Sequence, residues 1–197
     1  MCGVGKPAQP AARDGEGDRA VFLYGTLLDR EVLCRLLGRE LREDELEPAR
    51  LAGFRRMMAR AGCWPVLVPD PEGVVEGLLF ARPSPEDLRR IAHYEDDYRP
   101  ERMEVVTAAG RRVSACVWLA SLERLPPSEQ PWDMALWATQ HKRELLQQID
   151  RWLGELEAEP RPAAETVEGG AARSSGRGAR PAGARDLPRP STRLRDS

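Results

Sequence analysis

Between Ala20 and Ala120 the chain repeats one pattern: short, β-prone apolar runs closed by glycine, proline or charge, with only single helical stretches between them. That pattern constrains the fold more than any other feature. Parallel strands need a long crossover, usually a helix, at every connection, whereas strands joined by tight turns pair antiparallel. The expected class is therefore α+β, with a small mixed or antiparallel sheet and flanking helices.

The first run, Ala20 to Tyr24, reads as a buried strand, and a helix follows directly. Asp29 can cap that helix, Val32, Leu33, Leu36 and Leu37 supply its apolar face, and Gly38 supplies its stop. After a charged loop from Arg39 to Glu47, strand signals return at Ala49 to Met58, broken at Gly53, and at Trp64 to Val68. Pro69-Asp70-Pro71 should end the latter, with Gly73 turning the chain into Val74 to Ala81. Ser84-Pro85-Glu86-Asp87 is a helix start, with a hydroxyl cap, proline in the first turn and an acid three residues after the cap. Met103 to Ala108 and Arg112 to Ala120 follow as strands around the Ala109-Gly110 turn. In the second of these, Val113, Ala115, Val117 and Leu119 share one face, and Ser114, Cys116 and Trp118 share the other. From Ser128 to Glu157, Met134, Trp137, Ala138, His141, Leu145, Ile149, Trp152 and Leu156 mark one long amphipathic helical pattern.

Composition sets the domain limits. From Pro160 to Ser197 there are eight arginines against four acids, a net +4, and almost no large aliphatic residues. Such a segment cannot bury enough apolar surface to offset its ordering entropy. We expect a disordered N-terminal tail over 1–19, one domain over 20–158, and a disordered tail rich in Arg, Pro, Gly and Ala over 159–197. The chain total of −2 then leaves −6 for residues 1–159, which argues against duplex nucleic acid as a partner of the core. The arginine excess of the tail could attract an anionic partner, although a solvated linker is the simpler account and the one preferred here. No run resembles a signal-peptide core or a membrane span, so a cytosolic protein with no membrane partner is expected.

Cys2, Cys34, Cys63 and Cys116 are widely spaced, with neither a C-x-x-C pair nor paired histidines, so no metal site and no disulfide framework is indicated. Removal of Met1 would expose Cys2 as an N-terminal thiol of the kind that serves as a nucleophile in glutamine amidotransferases. It leads into Lys6-Pro7-Ala8-Gln9-Pro10 rather than a strand that could fix it, and is read as coincidence. His93 and His141 stand alone, without an acid at triad spacing.

Two features point to chemistry. The first strand ends in Tyr24-Gly25-Thr26-Leu27, a turn that can present backbone N–H groups to a ligand. In the helix that begins after Ser84, Glu95 falls three, four and seven residues along the stripe that holds Leu88, Ile91 and Ala92, where a purely structural design would place an aliphatic residue. A carboxyl in an apolar setting has a raised pKa and accepts a proton better, the profile of a general base. Spacing alone equally allows Glu95 to pair with Arg99 or Arg102 at the helix end.

In order and spacing, Tyr24-Gly25-Thr26-Leu27, Val75-Glu76-Gly77-Leu78-Leu79, and Tyr94-Glu95 followed by Tyr98 and Glu104-Val105 resemble the γ-glutamylcyclotransferase-like (AIG2-like) family, over roughly Val21 to Leu153. Trp64-Pro65-Val66-Leu67-Val68-Pro69, Pro131-Trp132-Asp133 and His141-Lys142 resemble features of its bacterial members. The resemblance implies a small mixed barrel with flanking helices and a pocket for a small γ-glutamyl substrate, with no metal and no organic cofactor. It also implies that the substrate's α-amine attacks its own γ-carbonyl to give 5-oxoproline. Glu95 then matches the catalytic acid/base, while Tyr24, Gly25, Thr26, Leu27 and Tyr98 belong to substrate binding. Ile91-Ala92-His93 departs from the family's Leu-Asp before its aromatic-Glu pair, and Pro100 stands where an arginine is common. Neither departure touches Glu95 or the turn. The same fold could instead serve as a non-catalytic small-molecule-binding or interaction module.

Overall fold

The computed structural model describes residues 19–96 and 98–158, the last four of these by backbone alone. Apart from Arg19, the two expected tails lie outside the described residues.

Strands β1 (Val21–Leu23), β2 (Leu46–Ala59), β3 (Pro65–Phe80), β4 (Tyr98–Thr107), β5 (Arg112–Ala120) and β6 (Pro127–Pro131) form one sheet in the order β3-β1-β5-β4-β2-β6. Pairing of β3 with β2 closes five of them into a barrel, leaving β6 attached outside β2. Only β1 and β5 run parallel, held by the Cys116 N–H donating to the Ala20 carbonyl at 2.7 Å, so the barrel is mixed. Closure leaves few exposed strand edges.

Alternation along the strands divides the core in two. Phe22, Ala49, Leu51, Leu67, Val75, Leu79, Val105, Ala115 and Val117 are buried together without any helical residue, and they fill the barrel. Val21 and Leu23, the alternate residues of β1, face outward onto the helices α1 (Arg30–Leu37), α2 (Pro85–Tyr94), α3 (Met134–Gln140) and α4 (Lys142–Ala158). Val32, Leu33, Leu36, Ile91, Trp137, Leu145 and Ile149 complete this second layer. The face assignment expected for β5 is what the two clusters display, with Ala115 and Val117 inside and Cys116 and Trp118 toward the helices.

Local chemistry fixes the helix ends. The Asp29 carboxylate accepts the N–H groups of Glu31 and Val32 at 3.0 and 3.1 Å, and Gly38 closes α1 at φ 65°. Ser84 and Asp87 form a reciprocal capping box at the start of α2. Asp87 also receives two hydrogen bonds from the Arg39 guanidinium, at 3.1 and 2.9 Å, and Arg39 reaches Glu45 as well. The orientation of α2 is thereby tied to the loop after α1.

Three expectations need correction. No turn reverses the chain at Gly73: β3 continues from Pro65 to Phe80, and its ladder with β2 passes from Phe54–Pro69 to Ala52–Val74 across a wide bulge. Proline, which cannot donate to a ladder, is accommodated in the bulge, and Gly73 is needed there because a Cβ would stand 2.4 Å from the Phe54 carbonyl oxygen. Ser128 does not open a helix, since Pro127–Pro131 pairs with β2 as an edge strand. The amphipathic pattern beyond it is two helices rather than one, parted at His141, whose φ of −124° is not helical. Among the described residues, no helix is long and apolar enough to cross a membrane.

Candidate active site

The chain leaves β1 at Leu23 and, after Tyr24 and Gly25, tightens into a 3₁₀ turn over Thr26–Leu28. The leading N–H groups of such a turn have no partner within it. The turn's own bonds are Leu28 N–H to the Gly25 carbonyl at 3.0 Å and Asp29 N–H to that of Thr26 at 3.1 Å, so Gly25, Thr26 and Leu27 act as acceptors or bystanders. Gly25 is there because nothing larger fits: a Cβ would lie 2.6 Å from Cγ of Pro65, the first residue of β3.

Across from this turn ends α2. Its last residue, Tyr94, places its hydroxyl 2.6 Å from Thr26 Oγ1, and Glu95 caps the helix with its N–H donating to the Ile91 carbonyl at 2.9 Å. Tyr98 N–H then donates to the Glu95 carbonyl at 2.7 Å and begins β4, while its hydroxyl lies 3.4 Å from the Pro65 carbonyl oxygen. Tyr24 closes the opposite side, its hydroxyl donating to the Trp118 carbonyl at 2.5 Å. All three tyrosines of the chain thus gather around one helix end.

Glu95 is half-buried, and desolvation of its carboxyl pushes the pKa up from 4.5 to about 8. No arginine offsets this among the described residues. Arg99 pairs with Glu101, and Arg102 donates to the Ser114 carbonyl at 3.0 Å. The neighbours of the carboxyl are felt through their own ionisation. Burial raises the pKa of Tyr24 and Tyr94, and the Glu95 charge adds to both; burial likewise raises the Cys116 thiol, with a smaller push from Glu95. A weak acid, three phenols and a turn whose leading N–H groups have no partner within the turn therefore share one small region. The chemistry such a set supports is proton transfer to and from a bound amine beside donors for a carbonyl oxygen.

Of the residues singled out from sequence, Tyr24, Thr26, Glu95 and Tyr98 come together here, with Gly25 and Leu27 in the same turn. Leu27 is buried in the layer under the helices, so its contribution is its backbone. Two concavities lie elsewhere. One runs along α1 from Arg30 to Glu40, and a smaller one lies between Cys63, Gln130, Trp132 and His141. The sequence pattern assigns Tyr94 no role and marks neither Arg56 nor the fit of Pro65 over Gly25. Tyr94 carried a signal, a polar aromatic beside the acid, whereas nothing in Arg55-Arg56 distinguishes the arginine that turns inward. Among the described residues, no group of three or more His, Cys, Asp or Glu is placed to hold a metal ion.

A closed mixed barrel with helices on one flank, and an acid at the end of the helix that bonds to the glycine turn, defines a small α+β protein. Residues 21–137 match the family described as gamma-glutamyl cyclotransferase, AIG2-like, and the chain belongs to that family. AIG2-like protein C of Arabidopsis thaliana is 27% identical over 143 residues, covering 71% of this chain and 80% of its own length. AIG2-like protein A of the same plant is 24% identical over 131 residues, covering 64% and 76%. The fold is shared with two Arabidopsis thaliana proteins known from solution structures. One has a TM-score of 0.51 at 24% identity over 80% of this chain and 94% of its own, and the other 0.51 at 21% over 73% and 95%.

Proposed function

We propose that the protein is a γ-glutamylcyclotransferase-like enzyme that cyclises a γ-glutamyl amine or γ-glutamyl amino acid to 5-oxoproline and releases the amine. The observation that carries this reading is the half-buried Glu95 at the end of α2, whose carboxyl has no ion pair among the described residues. An acid whose pKa lies near 8 is close in basicity to a substrate α-ammonium, which must lose a proton before its nitrogen can attack.

In the proposed reaction Glu95 takes that proton, and the α-nitrogen forms a bond to the γ-carbonyl carbon. The negative charge that develops on the carbonyl oxygen is met by N–H groups of the Gly25–Leu27 turn. Collapse breaks the bond to the departing nitrogen, which receives its proton from Glu95. The two protons shed by the attacking ammonium are the two gained by the departing amine. Nucleophile and electrophile belong to one molecule, so the protein's main task is to hold the folded conformer. Well-oriented intramolecular attack reaches effective molarities on the order of 10⁵ to 10⁸ M. Tyr24 and Tyr98 supply walls for the glutamyl group, and no covalent enzyme intermediate is needed.

The test is to incubate the protein with γ-glutamyl amines, γ-glutamyl dipeptides and glutathione, and to assay 5-oxoproline. Product with at least one class, lost in Glu95→Gln, is the expected result. Binding of 5-oxoproline without turnover of any substrate would leave a ligand-binding module as the function.

A further inference from the structure

Arg56 lies on β2 with its guanidinium directed at the end of β1. Its Nη1 donates to the Tyr24 carbonyl oxygen at 2.6 Å, and its Cζ lies 5.1 Å from the centroid of the Trp132 ring. No carboxylate among the described residues forms an ion pair with it. Burial lowers its pKa, while Asp133 and Glu76, which raise it, act from beyond ion-pair distance. Withdrawing a cation from water without an ion pair is costly, so the placement calls for a reason.

Trp132 braces the arginine. Its indole N–H donates to the Cys63 carbonyl at 2.8 Å, and its backbone N–H to the Arg56 carbonyl at 3.3 Å. A stacked guanidinium is held in orientation as a lysine ammonium would not be. The peptide that Arg56 touches joins Tyr24 to Gly25, and it is trans. In a trans peptide the carbonyl and the following N–H point in opposite directions within one plane. Fixing the Tyr24 oxygen on one side therefore aims the Gly25 N–H on the other. A charged donor at the oxygen also polarises the amide, and coupled hydrogen bonds strengthen one another by roughly 10–30%.

We propose that Arg56 is a positioning residue that acts through the Tyr24–Gly25 peptide, aiming and polarising the Gly25 N–H as a donor to the γ-carbonyl oxygen of the substrate. The inference rests on the role given to the turn under the proposed function. It differs from that reading in placing part of the oxyanion stabilisation on a side chain outside the turn and on the far face of the peptide.

The experiment uses the full chain, labelled with ¹⁵N, as wild type, Arg56→Met and Arg56→Lys, with the Gly25 amide resonance and the kinetics of 5-oxoproline formation as readouts. In Arg56→Met the Gly25 amide proton should move upfield. Its kcat should fall about tenfold, less than the ~10²-fold cost of deleting an oxyanion donor outright. KM should change by less than about twofold, since the donor matters most when charge develops. Arg56→Lys, which keeps a charged donor, should recover part of both effects, and it stands in for Arg56→Met if that variant does not fold. An unmoved Gly25 amide in a folded variant, or an unchanged kcat, overturns the proposal. If wild type turns over no γ-glutamyl compound, the proposed function fails. The Gly25 shift still decides the coupling in that case, being read without turnover.

Discussion

The hydroxyl of Tyr94 lies 2.6 Å from that of Thr26, 68 residues away in sequence, and joins the glycine turn to the end of α2 one residue before Glu95. Thr26 is buried at 5% exposure, so losing this partner strands a polar group. Tyr94→Phe keeps the ring, including its edge contact with Trp152 at 5.5 Å, and removes only the bond. Stability should fall by about 1–2 kcal/mol, measured by urea unfolding. Under the proposed function, the rate of 5-oxoproline formation should fall by more than in a surface control such as Arg50→Ala, because the turn and the acid then lose their common tether.

Gly25→Ala should damage the site through packing. The added methyl meets the Pro65 ring at 2.6 Å, and a proline opening a strand is not a flexible side-chain end that can swing away. Displacing the turn should cost about 1–3 kcal/mol. The double variant Gly25→Ala/Pro65→Ala should recover much of the loss. Simple additivity of the two single changes would show that the contact is not the cause.

Asp87 secures the helix that carries the acid. At 2% exposure it joins Arg39 to the N-terminus of α2, and although burial raises its pKa, the bonds from Arg39 and Ser84 prevail and lower it. Asp87→Ala leaves Arg39 with Glu45 alone and removes half of the capping box, for an expected loss of about 3 kcal/mol. Because the folded pKa is depressed, this stabilisation is present above pH 3.8 and is lost as pH falls below it. Unfolding free energies of wild type and Asp87→Ala should therefore converge in acid.

Periodicity made much of this legible. The caps Asp29, Gly38 and Ser84 and the two faces of β5 depend on local rules that hold inside the barrel as in any chain. The bulge of β3 and the edge strand β6 depend on partners distant in sequence. Pro69-Asp70-Pro71 has the local chemistry of a stop, and only the ladder with β2 carries the strand past it. The same division runs through the site. Glu95 was visible because a carboxyl broke an apolar stripe, and the turn because glycine followed a strand. Arg56 was not, because its partner is a backbone carbonyl 32 residues away, and a carbonyl has no sequence signature.

The pH response of Glu95 separates its cost to the fold from its use in the reaction. Its carboxyl passes from a pKa of 4.5 unfolded to about 8 folded, so between these values the native state binds more protons than the unfolded one. Stability should therefore fall as pH rises through this window, by up to about 1.4 kcal/mol per pH unit. Below pH 4.5 both states are protonated and the slope disappears. Glu95→Gln cannot ionise, so urea unfolding from pH 5 to 9 should show a flatter profile and, at the alkaline end, a variant more stable than wild type. The general-base role requires the opposite trend in rate. Only ionised Glu95 can accept the α-ammonium proton, so kcat/KM should rise with pH to a midpoint near 8. A rate profile with its midpoint near 4.5 would mean that the carboxyl meets water in the working enzyme. A stability profile unchanged by Glu95→Gln would mean the same for the resting one.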